Sequence, residues 1–122
     1  MTLSDPKPVK RIRDPEVIAR FYESGYDCLS CGHGRIIDPH HVLLKSQGGD
    51  DVPANLVPLC RECHGALHGR PYRAFGVKID ANHVRQAIAR CVRSEAGEDT
   101  RWYLVAKLGA EPSVAFLERL EA

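Results

Sequence analysis

Two Cys-x-x-Cys pairs, Cys28–Cys31 and Cys60–Cys63, constrain this chain more than any other feature. Each pair aims two sulfurs at one centre, and together they offer four thiolates in the pattern of a tetrahedral site. The first pair sits in a turn, Cys28-Leu29-Ser30-Cys31-Gly32-His33-Gly34, whose glycines let backbone amides face a bound sulfur. The second pair is expected at a helix start, where residues three apart share a face and the positive helix end favours thiolate. Two disulfides or four buried thiols are the alternatives, and the spacing argues for zinc. Four protein ligands leave no open position, so that ion is expected to be structural.

The rest of the composition sets bounds. With 122 residues the chain is expected to form one small domain with a modest core, which a metal staple would help to fold. The net charge of +1 excludes a protein that simply coats nucleic acid, so any such contact must come from local clusters. The N-terminus, MTLSDPKPVKRIRDP, lacks the apolar run of a signal peptide. No stretch approaches the roughly 18 apolar residues of a membrane span. An intracellular location with reduced thiols is therefore expected, and no membrane partner. Of the five cysteines, only Cys91 stands outside the pairs, on an apolar helix face that suits a buried thiol.

Three segments follow along the chain. Residues 1–13 carry Lys7, Lys10, Arg11 and Arg13 with two prolines and no hydrophobic period, and read as a flexible basic arm or a solvated tail. Residues 14–73 hold the core. Asp14-Pro15-Glu16 starts a helix with Val17, Ile18, Phe21 and Tyr22 on one apolar face and Gly25 as its stop, expected to be core without chemistry. Arg35–Asp38 reads as a short strand with His40 and His41 at its far end, Lys45–Asp51 as a loop, Asn55–Leu59 as a second strand, and Cys60–Gly69 as a helix. Residues 74–122 are expected to be a helical extension packed on that core. Asp80 caps a helix through Val92, Asp99 caps one with Trp102, Val105 and Leu108 inward, and Pro112 opens a third with Phe116, Leu117 and Leu120.

Four of the six histidines fall between Asp38 and His68. His64 and His68 are four apart, so they stack on one helix face while Cys60 and Cys63 occupy another. His40, delivered from the preceding strand, is the natural third ligand of a second ion with open positions for water and phosphate. His41 points to the other side of that strand and is free to act on a water as general base. Asn55 can fix the loop backbone around His41. Asp38 can support a ligand imidazole or bind the metal itself. His33 and His83 are read as ordinary surface or core residues.

These residues resemble the HNH endonucleases. The family pattern of paired histidines, a central asparagine before a Leu-x-x-Leu-Cys run and a Cys-x-x-Cys-His end is matched by His40-His41, Asn55–Cys60 and Cys60–His64. The resemblance covers Cys28 to His68, about a third of the chain. It implies a small ββα-metal fold, α+β in class, of the four-cysteine zinc subtype, flanked by an N-terminal helix and C-terminal helices. It also implies that His41 is the base, that His40 and His64 hold the catalytic ion with His68 as an extra ligand, and that Asn55 orders the loop. The implied reaction is hydrolysis of DNA phosphodiesters to 5′-phosphate and 3′-hydroxyl ends. An all-imidazole set suits Zn, Ni, Co or Mn, although the family often works with Mg or Mn. Arg35, Lys45, Arg61, Arg70 and Arg73 are the expected DNA contacts, meeting phosphates rather than reading sequence. Domains of this size imply a bacterial or phage-encoded origin. The alternatives are a zinc-stabilised binding module without turnover, and a phage packaging or recombination factor active only with a partner.

Overall fold

The computed structural model describes residues 10–33 and 36–122. Residues 1–9, which hold most of the expected basic arm, and Arg35 lie outside the described residues. Among the described residues no helix is long and apolar enough to cross a membrane. The order is α1 (Pro15–Glu23), β1 (Ile37–His41), β2 (Leu56–Cys60), α2 (Arg61–Leu67), β3 (Tyr72–Ala74), β4 (Val77–Ile79), α3 (Ala81–Arg93), α4 (Glu98–Leu108) and α5 (Ala110–Glu121).

β1 and β2 pair antiparallel, with Asp38 opposite Leu59 and His40 opposite Val57. Single 3-10 turns at Lys45–Gln47 and Pro53–Asn55 break the loop between them. α2 follows β2 directly. Its N-cap is Cys60, whose sulfur accepts from Cys63 N at 3.4 Å, so one thiol both caps the helix and joins the cluster of four cysteine sulfurs. Strand, loop, strand and helix thus come in the expected order, and the mixed α+β class holds.

One apolar cluster binds this unit to the C-terminal helices. Leu59 and Cys63, fully buried, meet Val84, Ile88 and Val92 of α3, Leu104 of α4 and Phe116 and Leu117 of α5. Burial of each such side chain is worth about 1.5–3 kcal/mol. Polar ties reinforce the contact: Thr100 Oγ1 donates to Ala54 O at 2.6 Å, and Tyr103 Oη donates to Asp50 at 2.8 Å.

Several expectations need correction. Arg11 and Ile12, counted with the free arm, are tied down: Arg11 Nε donates to Gly49 O at 2.8 Å and Ile12 N to Asp50 at 2.6 Å. α1 is capped by Asp14 as expected, but none of its residues is buried. It lies against β1 at the edge of the molecule, where Ile18 and Tyr22 form one wall of a cleft. In α4 the cap is Gly97, with Asp99 inside the first turn, and Trp102 is 66% exposed. Thr100 and Leu104 face inward instead, because the ties to Ala54 and Asp50 fix the rotation of the helix.

The β3–β4 hairpin was not foreseen. Its two-residue turn has positive φ at both Phe75 (54°) and Gly76 (74°), the primed geometry that matches strand twist.

Candidate active site

The four cysteine sulfurs lie within 4.8 Å of one another. Among the described residues no cysteine is joined in a disulfide, and the four paired sulfurs converge on one centre instead. Cys31 N and Cys63 N point at the sulfurs of Cys28 and Cys60, at 3.5 and 3.4 Å. Burial would raise the Cys28 thiol, but backbone hydrogen bonds outweigh it and hold the group below its ordinary value. Burial pushes Cys60 and Cys63 up. Tyr72 Oη, delivered by the hairpin, sits 2.9 Å from Cys63 Sγ. A closed set of four sulfurs with amide donors fits a structural metal ion.

The opposite side of α2 opens on a cleft of about 570 Å³. Asp38, His40, His41, His64, His68, Lys45 and Arg61 all line it. The rings of His40 and His64 have centroids 5.3 Å apart, and those of His64 and His68 are 5.0 Å apart. Asp38 Oδ2 lies 3.5 Å from His64 Nδ1, and its other oxygen accepts from Tyr22 Oη at 3.3 Å. The carboxylate therefore faces the Nδ1 side of His64. Burial, then the neighbouring His64, His68 and His41, push His40 down to about 3. It is a neutral imidazole with a free lone pair, as a metal ligand must be.

His41 is buried to the same degree as His40 but is held differently. Its Nε2 lies 2.7 Å from Asp51 Oδ1. A carboxylate accepts only, so Nε2 carries the proton and Nδ1 keeps the lone pair. Asp51 also accepts from Arg11 and from Asp14 N at 2.9 Å. Burial would raise the Asp51 carboxyl, yet these bonds, the one from His41 and the Arg11 charge hold it below its ordinary value.

Asn55 has no exposed surface and does not line the cleft. Its Oδ1 accepts from Leu43 N at 2.8 Å, and Nδ2 donates to Leu43 O at 3.0 Å and Asp50 O at 3.1 Å. It clamps the two ends of the loop that carries Asp51. Gly49 makes that clamp possible, since a Cβ there would sit 1.8 Å from Leu43 O.

Of the expected DNA contacts, Lys45 and Arg61 line the cleft, whereas Arg70 and Arg73 do not. Arg70 leans on Gly65, and Arg73 stands opposite Lys78 on the exposed side of the hairpin. Asp51 and Tyr22 were missed. Asp51 had one signal, the Gly48-Gly49-Asp50-Asp51 run just ahead of Asn55, which marks a tight loop returning past His41.

Two short strands and a helix carry clustered sulfurs on one side and imidazoles lining a cleft on the other. Residues 27–70 match the family model for HNH endonuclease, so this segment is an HNH endonuclease domain. The chain is also similar to the type IV methyl-directed restriction enzyme EcoKMcrA of Escherichia coli K12, at 34% identity over 88 residues. That alignment covers 55% of this chain and 32% of the relative, so the chain spans about a third of the length of that enzyme. No solved structure matches. These similarities support a nuclease in general. They lend nothing to a phage origin or partner.

Proposed function

We propose that this chain is a metal-dependent endonuclease that hydrolyses DNA phosphodiesters, with zinc held by Cys28, Cys31, Cys60 and Cys63 and a catalytic divalent ion by His40, His64 and His68. The observation that carries it is the pairing of His41 with Asp51 at 2.7 Å beside three clustered imidazoles in one cleft. The donor set suits Zn, Ni, Co or Mn better than Mg. When bound, the ion supplies Lewis-acid stabilisation of the phosphoryl and leaving 3′ oxygens.

The chain's own groups do the rest. His41 Nδ1 takes a proton from the attacking water, and Asp51 fixes the tautomer and stabilises the imidazolium that results. Asn55 keeps Asp51 in place by holding the loop closed. Asp38 orients His64, and Arg61 and Lys45 steer the phosphate into the cleft. Residues 74–122 serve as a helical buttress behind the domain. The relative is methyl-directed by name, so methylated duplexes are the first substrates to compare with unmodified ones.

A plasmid-nicking assay with wild type and His41→Ala, run across Mg, Mn, Ni, Co and Zn, tests the reading. Nicking by wild type that the substitution abolishes is expected. Undiminished cleavage by His41→Ala would remove the assigned base. Tight DNA binding with no cleavage in any ion would leave a zinc-stabilised binding module instead.

A further inference from the structure

A second groove of about 310 Å³ runs between the HNH unit and the C-terminal helices. It shares His40, Leu44 and His68 with the cleft, so the two spaces meet at the imidazole cluster. Its walls include Ile88 of α3 and Phe116 and Leu120 of α5, and its cations are Arg85 and Arg119. No acidic side chain lines it, and neither arginine forms an ion pair among the described residues. Arg85 is half-buried. Its guanidinium has no acidic partner among those residues and is free to meet an anion in the groove, while apolar side chains flank its stem.

We propose that this groove seats the DNA backbone segment adjoining the scissile phosphate, with Arg85 and Arg119 gripping its phosphates. The word scissile rests on the nuclease reading; the grip itself does not. A sugar-phosphate chain offers what the groove asks for: an anion every nucleotide and an apolar deoxyribose face between anions. Lys45 and Arg61 line the cleft and are absent from the groove, so the imidazoles lie between two pairs of cations. A strand entering past one pair leaves past the other. The C-terminal helices thereby become a DNA-binding wall as well as a support.

The test uses the full chain, metal-loaded, in a His41→Ala background so that nothing is cut. Fluorescence anisotropy of a labelled duplex oligonucleotide is read over a salt series. Arg85→Ala and Arg119→Ala should each weaken binding on the order of tenfold, the loss of one charge-assisted hydrogen bond. Each should also lower the salt slope by about 0.9, the loss of one phosphate contact. Arg90→Ala, an exposed charge on α3 outside the groove, is the control and should change neither. Arg119 is exposed, so its variant keeps the test open even if Arg85→Ala does not fold. Affinity within twofold of the parent for both variants, with an unchanged slope, overturns the proposal. Polyglutamate of equal charge displacing the duplex as well as unlabelled DNA does would also overturn it. Wild type that cuts nothing while Arg119→Ala still loses binding would sink the nuclease reading and spare the groove.

Discussion

The two flanks of α2 present the same helix to two different surroundings. On the sulfur flank Cys60 and Cys63 are 3% and 0% exposed, Cys31 is half-buried, and Tyr72 Oη lies 2.9 Å from Cys63 Sγ. On the imidazole flank His64 keeps 29% of its side-chain surface and His68 is exposed. One helix turn therefore separates a mostly buried cluster of sulfurs from imidazoles that line an open cleft. The difference teaches what each can do. Four protein ligands leave an ion no open position and can only hold the chain together, whereas three leave room for water and phosphate. Cys60 and Cys63 also belong to the core cluster, while His64 faces Asp38 of β1.

The comparison breaks most sharply under substitution of one donor from each flank. A structural zinc is worth about 10–16 kcal/mol of apparent binding energy, comparable to the whole stability of a small domain. Cys63→Ser should therefore abolish cooperative thermal unfolding by circular dichroism and release every bound ion. His64→Ala should leave the melting transition nearly unchanged and remove one equivalent of metal by elemental analysis, together with nicking. Equal loss of fold in both variants would show that the two flanks are one structural site.

Within the open flank the proposed base can be separated from its support. His41→Ala should lower kcat by about 10²–10⁴ with the metal content intact, the usual scale for a positioned proton acceptor. Asp51→Asn should also lower kcat, by up to about 10⁴-fold, because an amide N–H facing Nε2 moves the imidazole proton to Nδ1, the atom meant to accept. Asn55→Ala should act through the fold first. It strands three buried backbone groups of Leu43 and Asp50, at about 1–3 kcal/mol each, and its melting shift should precede its activity loss.

The clusters were legible in the sequence because they are written in spacing: two Cys-x-x-Cys pairs, and histidines four apart on a helix. What ties donors to supports was not. Asp51 meets His41 only because the loop closes over Gly49, a tertiary event that no periodicity announces. The hairpin escaped because each strand has only three residues and its outer pair is Arg73 and Lys78, which read as a polar loop. Trp102 was turned the wrong way because α4 has apolar residues around its circumference. Two polar ties decide its rotation, not the pattern. Arg85 and Arg119 come from separate helices, so nothing local places them at one groove.

The smallest effect sharpens the comparison from the loop side. Asp50 is buried, accepting from Ile12 N, Tyr103 and Lys107, the last at 2.9 Å. Burial would raise its carboxyl, but the bond from Ile12 and those from Lys107 and Tyr103 win, and it titrates below its ordinary value, as Asp51 does. A carboxylate depressed in the fold binds its proton more readily once the chain unfolds. Its stabilising contribution is thus whole above the ordinary value near 3.8 and fades as pH falls through the lower folded value. Wild type should then lose stability steeply below about pH 4 in denaturant titrations, while Asp50→Asn starts lower and falls less steeply. Thiol protonation also releases metal in acid, but it does so equally in both proteins, so the difference between the two curves isolates the carboxylate. Parallel curves would mean that Asp50 binds its partners as a neutral acceptor would, and that the loop owes its closure to Asn55 alone.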